Sequence, residues 1–118
     1  MRFGYLACPY SHDDPAVLHA RHRQICTIAG TLIESGLTFY CAIAHTHPIA
    51  YHSNMDPLDH NIWLPFDRPM MGFCSELWVA QMDGWSTSVG INAEMSYFDA
   101  HHKPIHYLDP SDPVAALI

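Results

Sequence analysis

The chain has 118 residues, 49% of them hydrophobic, and a formal net charge of −7 with only five Lys and Arg. That length and apolar content suit one compact domain spanning residues 1–118, burying roughly two-thirds of the surface its unfolded chain exposes. The scarcity of cations excludes a nucleic-acid interface, which needs clustered Lys and Arg against phosphates.

In chain order, Arg2 to Cys8 reads as a short apolar strand closed by Pro9. Asp14-Pro15 is an N-cap followed by proline at the first helical position, and it predicts a helix. Val17, Leu18, Ile25, Ala29, Leu32 and Ile33 then recur at helical spacing up to Ser35-Gly36. Leu37 to Ile43 is a second strand, completing a β-α-β unit whose crossover should be right-handed. The region from Ala44 to Pro65, rich in His, Pro and Asn, reads as an irregular segment too long for an ordinary connection, either a functional loop or one carrying short helical turns. Phe66 to Cys74 predicts a short helix weakened by Pro69 and Gly72. Glu76 to Met82 is a third strand, Asp83 to Thr87 a turn, and the stretch after Ser88 a helix ending near His102. Lys103 to Leu108 is a fourth strand, and Asp112 to Ile118 a terminal turn. This order predicts an α/β fold: a small Rossmann-like or flavodoxin-like parallel sheet of four to five strands flanked by helices.

The four cysteines have no CxxC spacing and read as buried free thiols. No apolar run approaches the roughly 20 residues of a membrane helix, and no signal peptide is legible. A soluble cytoplasmic protein with no membrane partner is expected. The ten histidines would move the formal charge from −7 to +3 if all were protonated, so charge should change steeply near pH 6.

In a parallel sheet the loops after strands one, two and three emerge on one side, where ligands bind. Those loops carry the candidate substrate contacts: Pro9 and Ser11, then His45 and His47, then Trp85, Ser88 and Gly90. Tyr51 and Trp63 offer rings for stacking on a base. GxGxxG and GxxxxGK[ST] are both absent, so neither a dinucleotide dehydrogenase nor a P-loop enzyme is expected. His45 and His47 form an HxH pair that in extended backbone would share a face. Two ligands do not complete a tetrahedral site, and no metal or other cofactor is expected. Glu94 lies one and a half turns into the helix that opens at Ser88, which makes it a candidate nucleophile or base. A plain surface role competes for Glu94, a core role for Tyr5 and a capping role for Asp67.

Three segments together carry a resemblance: Tyr5-Leu6-Ala7-Cys8-Pro9-Tyr10-Ser11, then Trp63-Leu64-Pro65-Phe66-Asp67, then Gly84-Trp85-Ser86-Thr87-Ser88-Val89-Gly90-Ile91-Asn92-Ala93-Glu94, followed by Lys103-Pro104-Ile105. The chain resembles the nucleoside 2-deoxyribosyltransferase-like superfamily over about residues 3–108, and within it a bacterial branch classed as a domain of unknown function. The resemblance implies that Glu94 attacks the anomeric carbon of a nucleoside or nucleoside 5′-monophosphate, that Tyr5 orients Glu94, and that Asp67 helps protonate the departing base. It also implies sites completed across subunits, so a homodimer or higher homo-oligomer is expected, built on the Glu94 helix through Met95, Tyr97 and Phe98. Two positions depart from the superfamily pattern. The transferases carry an Asp six residues before the nucleophile, where this chain has Ser88, as the nucleotide N-glycosidases do. Those glycosidases carry an Arg in the first-strand loop, where this chain has Ser11. The reading is an N-glycosidase or deoxyribosyltransferase. The alternatives are a non-catalytic nucleoside- or nucleotide-binding module and a metal-binding protein using the HxH pair.

Overall fold

Gly4–Ala7 forms β1, the buried centre of the sheet in a computed structural model that describes residues 1–118. Gly4 is dictated by packing: a Cβ there would stand 2.4–2.6 Å from the Trp78 indole. Gly4→Ala is therefore expected to destabilise the protein by about 1–3 kcal/mol, the usual effect of overpacking a filled core. A denaturant midpoint unchanged from wild type would contradict that.

The helix α1 spans Pro15–Glu34, and both of its ends follow the sequence signals. Asp14 accepts from the Ala16 amide at 2.9 Å, and Gly36 terminates the helix with φ +80°. Its Leu18, Ile25, Ile28, Ala29 and Leu32 are buried, whereas Ile33 is 63% exposed, one position off the buried stripe. Four strands, β1, β2 (Phe39–Cys41), β3 (Glu76–Ala80) and β4 (Ile105–Leu108), pair in the order β2-β1-β3-β4, all parallel. Each strand except β3's start is shorter than its apolar run, because residues such as Leu37, Ile43 and Met82 pack without joining the ladder.

The region expected to be irregular is largely helical. Helix α2 spans Ala42–His52 and starts directly off β2, and α3 spans His60–Phe73. Pro48 lies inside α2, and Pro65 and Pro69 lie inside α3. Each removes a backbone donor and crowds a carbonyl one turn earlier, so the local sequence argues against helix. Tertiary burial overrides that penalty in α2, where Ala42, Thr46, His47 and Ala50 are buried. Helix α3 begins six residues before the expected Phe66, with Asp59 as its cap, accepting from the Asn61 amide at 3.0 Å.

The last helix, α4, spans Val89–Ala100 and is capped by Ser88. Strand alternation sorts the side chains onto two faces. Leu6, Cys8, Cys41, Trp78, Ala80 and Leu108 pack against α1. Tyr5, Ala7, Leu77 and Val79 face the other way, with Met71 of α3 and Ile91 and Phe98 of α4. Phe98 is fully buried in this layer, so it offers no surface to a partner. Exposed apolar surface lies instead on α3, at Leu64, Phe66 and Phe73, and at Val89. No helix is long and apolar enough to cross a membrane.

The chain leaves β1 toward β2 on one side and returns to β3 and β4 on the other. The carboxyl ends of β1 and β3 therefore flank the switch point where open α/β sheets form a ligand crevice.

Candidate active site

A cleft of about 580 Å³ opens at that switch point. Its floor is the end of β1, one wall is α3, and the opposite wall is the first half of α4. Tyr5 and Glu94 meet there. Tyr5 is 1% exposed on β1, and its phenol lies beside the Glu94 carboxyl, where it favours the ionised acid. Desolvation opposes this and dominates, and nearby Asp67 adds repulsion, so Glu94 is pushed up to about 8. The Tyr5 phenol is itself pushed far up, by burial and then by Glu94 and Asp67, so it stays a donor.

Asp67 comes from α3 and lines the same cleft. It accepts from the Tyr40 hydroxyl at 3.1 Å. Burial raises its pKa, with the Tyr40 hydrogen bond and then the His45 imidazole working against the rise. Two carboxyl groups thus face one desolvated space, Asp67 held by Tyr40 and Glu94 beside Tyr5. Their titrations are coupled, and near neutral pH such a pair retains a proton.

Ser88 begins α4 as its N-cap, its Oγ accepting from the Ile91 amide at 3.2 Å. Ser88 and Gly90 line the cleft together with Val89. A Cβ at Gly90 would meet only the Ser88 Oγ, at 3.9 Å, so the protein itself leaves that spot open. No acidic side chain occupies the first turn of α4, whose unpaired amides carry partial positive charge.

Ser11 also lines the cleft. A cation reaches the same loop from α1. Arg21, in the second turn of α1, donates to the carbonyls of Tyr10 and Ser11 at 3.2 Å each and to that of Asp83 at 3.4 Å. Gly84, at φ +89°, leaves the space the guanidinium fills, since a Cβ there would lie 2.8 Å from Nη2. Arg21 and Arg68 both line the cleft, and the sequence reading missed both. Arg21 was findable: α1 starts at the carboxyl edge, so its first two turns share that edge. Tyr40 was missed as well, although its register opposite Tyr5 places it on the same face.

Several expected contacts are displaced. Pro9 is fully buried in the core. Trp85 packs on Tyr107, ring centroids 5.7 Å apart, outside the cleft. His45 and His47 do not line the cleft, because they sit on a helix, where positions two apart point to opposite sides. The same geometry rules out the shared face on which the HxH metal reading relied, and no group of three or more His, Cys, Asp or Glu side chains is arranged to hold an ion. The 44–62 segment does wall the cleft, but through Thr46, Pro57 and His60. Trp63 lines it as expected, its Nε1 donating to the Asp56 carbonyl at 2.8 Å. Tyr51 instead packs on His19 and His47.

His47 is buried between α1 and α2. Its Nδ1 is hydrogen-bonded to the Tyr10 hydroxyl at 2.6 Å, and its Nε2 lies 3.1 Å from His19 Nδ1. His22 stacks on it at 4.4 Å. Burial first, then His22 and His19, push His47 down to about 4. The unfolded chain takes up that proton near pH 6.5, so it binds more protons than the folded chain between pH 6.5 and 4. His47 alone should therefore subtract about 2 kcal/mol of stability as pH drops from 7 to 4.5, against the opposite contribution of Glu94. His47→Gln is expected to shrink that loss in urea titrations at the two pH values. An equal loss in the variant would contradict the assignment.

Residues 2–109 match the family described as Domain of unknown function (DUF1937). The chain belongs to this family. The matched span takes in every strand, the three cleft residues Tyr5, Asp67 and Glu94, and Tyr40 behind them. No curated protein matches the sequence.

Proposed function

We propose that this DUF1937 domain cleaves the N-glycosidic bond of a nucleoside or nucleoside 5′-monophosphate, releasing the base to water or to a second base. The observation that carries the reading is the pair of carboxyl groups, Glu94 and Asp67, in one desolvated cleft with a phenol on each. Cleavage at C1′ passes through an oxocarbenium-like transition state. A carboxylate beside C1′ stabilises that charge and can trap the sugar covalently, while a second group must carry a proton to the leaving nitrogen. The singly protonated pair supplies both roles. Positive charge developing at C1′ draws the negative charge onto Glu94, where Tyr5 stabilises it, and the proton the pair shares moves to Asp67. Activity should accordingly decline above about pH 8, as the pair loses its last proton.

Arg21, Ser88 and the open amides of α4 support a 5′-phosphate at the far end of the cleft, since cations and helix N-termini both favour anions. Trp63 supplies a face for the base. A homodimer fits the exposed apolar residues of α3 and Val89 better than the buried Phe98.

The test is a panel of ribo- and deoxyribonucleosides and their 5′-monophosphates assayed for free base, with Glu94→Gln as control. Base release by wild type alone supports the reading. Saturable binding with no release from any member would replace it with the non-catalytic binding module, the second reading, which Ser88 in place of the transferases' Asp favours.

A further inference from the structure

Tyr5 and Tyr40 are direct partners in the parallel pairing of β1 with β2, so both rings stand on the same face of the sheet, 5.8 Å apart. They hold different acids. Tyr5 serves Glu94 and Tyr40 serves Asp67. Tyr5 reaches the cleft, whereas Tyr40 does not line it and acts from behind. Behind Tyr40 stands an exposed imidazole: His45 Nδ1 is 3.4 Å from the phenol oxygen, its ring edge-on at 5.9 Å.

We infer that Tyr40 is the positioning residue for Asp67, with His45 as its second support. This rests on Asp67 being the acid of the proposed base release. The Tyr40 O–H occupies Oδ1, which fixes the plane of the carboxyl and leaves Oδ2 as the oxygen that carries the proton. Because the phenol's one proton points at Asp67, its oxygen can only accept from His45, which fixes the Nδ1–H form of that ring. As the C1′–N bond breaks, its electron pair goes to the base, and the base nitrogen takes the proton from Oδ2. The new Asp67 carboxylate is stabilised by the Tyr40 donor. It then takes a proton from the water that attacks C1′ and displaces Glu94, which restores the starting state. Tyr40 and His45 keep their protons throughout. A phenol here holds the acid without titrating in its place, as burial and the Asp67 charge keep Tyr40 protonated. The sequence pattern agrees: a two-residue alternation in Phe39-Tyr40-Cys41 puts Tyr40 on the acid face, between two residues that face α1.

The experiment follows the Asp67 carboxyl carbon by ¹³C NMR through a pH titration of ligand-free, ¹³Cγ-Asp-labelled protein, with Asp67→Asn to assign the signal. Tyr40→Phe keeps the ring and removes the donor, and it should weaken Asp67 as an acid by about tenfold. His45→Gln leaves Tyr40 in place and should move the titration the same way by less. In the base-release assay Tyr40→Phe should lower kcat about tenfold with KM within about twofold, the signature of a group acting on the acid and not on binding. An Asp67 titration unchanged in both variants overturns the inference, as does a Tyr40→Phe effect confined to KM. Because the titration uses no substrate, it is decided independently of base release, whose own failure would appear as a Glu94→Gln variant as active as wild type.

Discussion

Glu94→Gln is expected to lower base release by at least about 10³-fold while leaving ligand affinity within a few-fold of wild type. Gln preserves the shape and can still accept from Tyr5, but it cannot bond to C1′ or carry the countercharge of the transition state. The same substitution should stabilise the protein at pH 8. The folded-state pKa of Glu94, about 8, lies above the ordinary carboxylate value, so the folded chain holds a proton that the unfolded chain releases near pH 4.5. Stability from this group is fully present below pH 4.5 and is lost as pH rises through 8. Gln carries no such penalty. Part of Glu94 faces the cleft, so solvent discounts the effect to roughly 1–2 kcal/mol, or about 5 °C in melting temperature. A variant that is both inactive and more stable at pH 8, with the gain vanishing by pH 4.5, separates a functional acid from a structural one. A variant that melts lower at pH 8 would show that Glu94 holds the fold together.

The second large effect concerns Asp67. Asp67→Asn should lower the release of natural bases by about 10²–10³-fold, because a base nitrogen leaves poorly without a proton. The loss should depend on the leaving group. A 4-nitrophenyl pentofuranoside departs as a stable anion, and for it the variant should stay within about fivefold of wild type. Equal losses on both substrates would mean that Asp67 serves binding or folding and not proton transfer.

Much of the frame was legible because it rests on local signals. Asp14-Pro15 and Gly36 set the ends of α1, and continuous apolar runs placed β1 to β4 in a parallel sheet. Glu94 was legible because Ser88 fixes the start of α4 and hence which edge of the sheet the acid meets. The helices α2 and α3 were not legible as such, since Pro48, Pro65 and Pro69 argue locally against them and only tertiary contacts decide otherwise. That error carried into the site. Reading residues 44–62 as irregular made His45 and His47 cleft residues, whereas the helix turns His47 against α1 and sets His45 behind Tyr40. Arg21, Arg68 and Tyr40 were missed because each depends on which element lies beside which, a long-range fact that periodicity does not contain.

The most direct test of the central claim is to trap the sugar on the enzyme. A 4-nitrophenyl 2-deoxy-2-fluoro-pentofuranoside, with and without a 5′-phosphate, slows both steps through its fluorine, while the good leaving group lets the first step proceed, so a covalent intermediate should accumulate. Peptide mass spectrometry should then find the fluorinated sugar on Glu94 in wild type and no adduct in Glu94→Gln. Release of nitrophenol by wild type with Glu94 unlabelled, or with the label on another residue, would contradict the account.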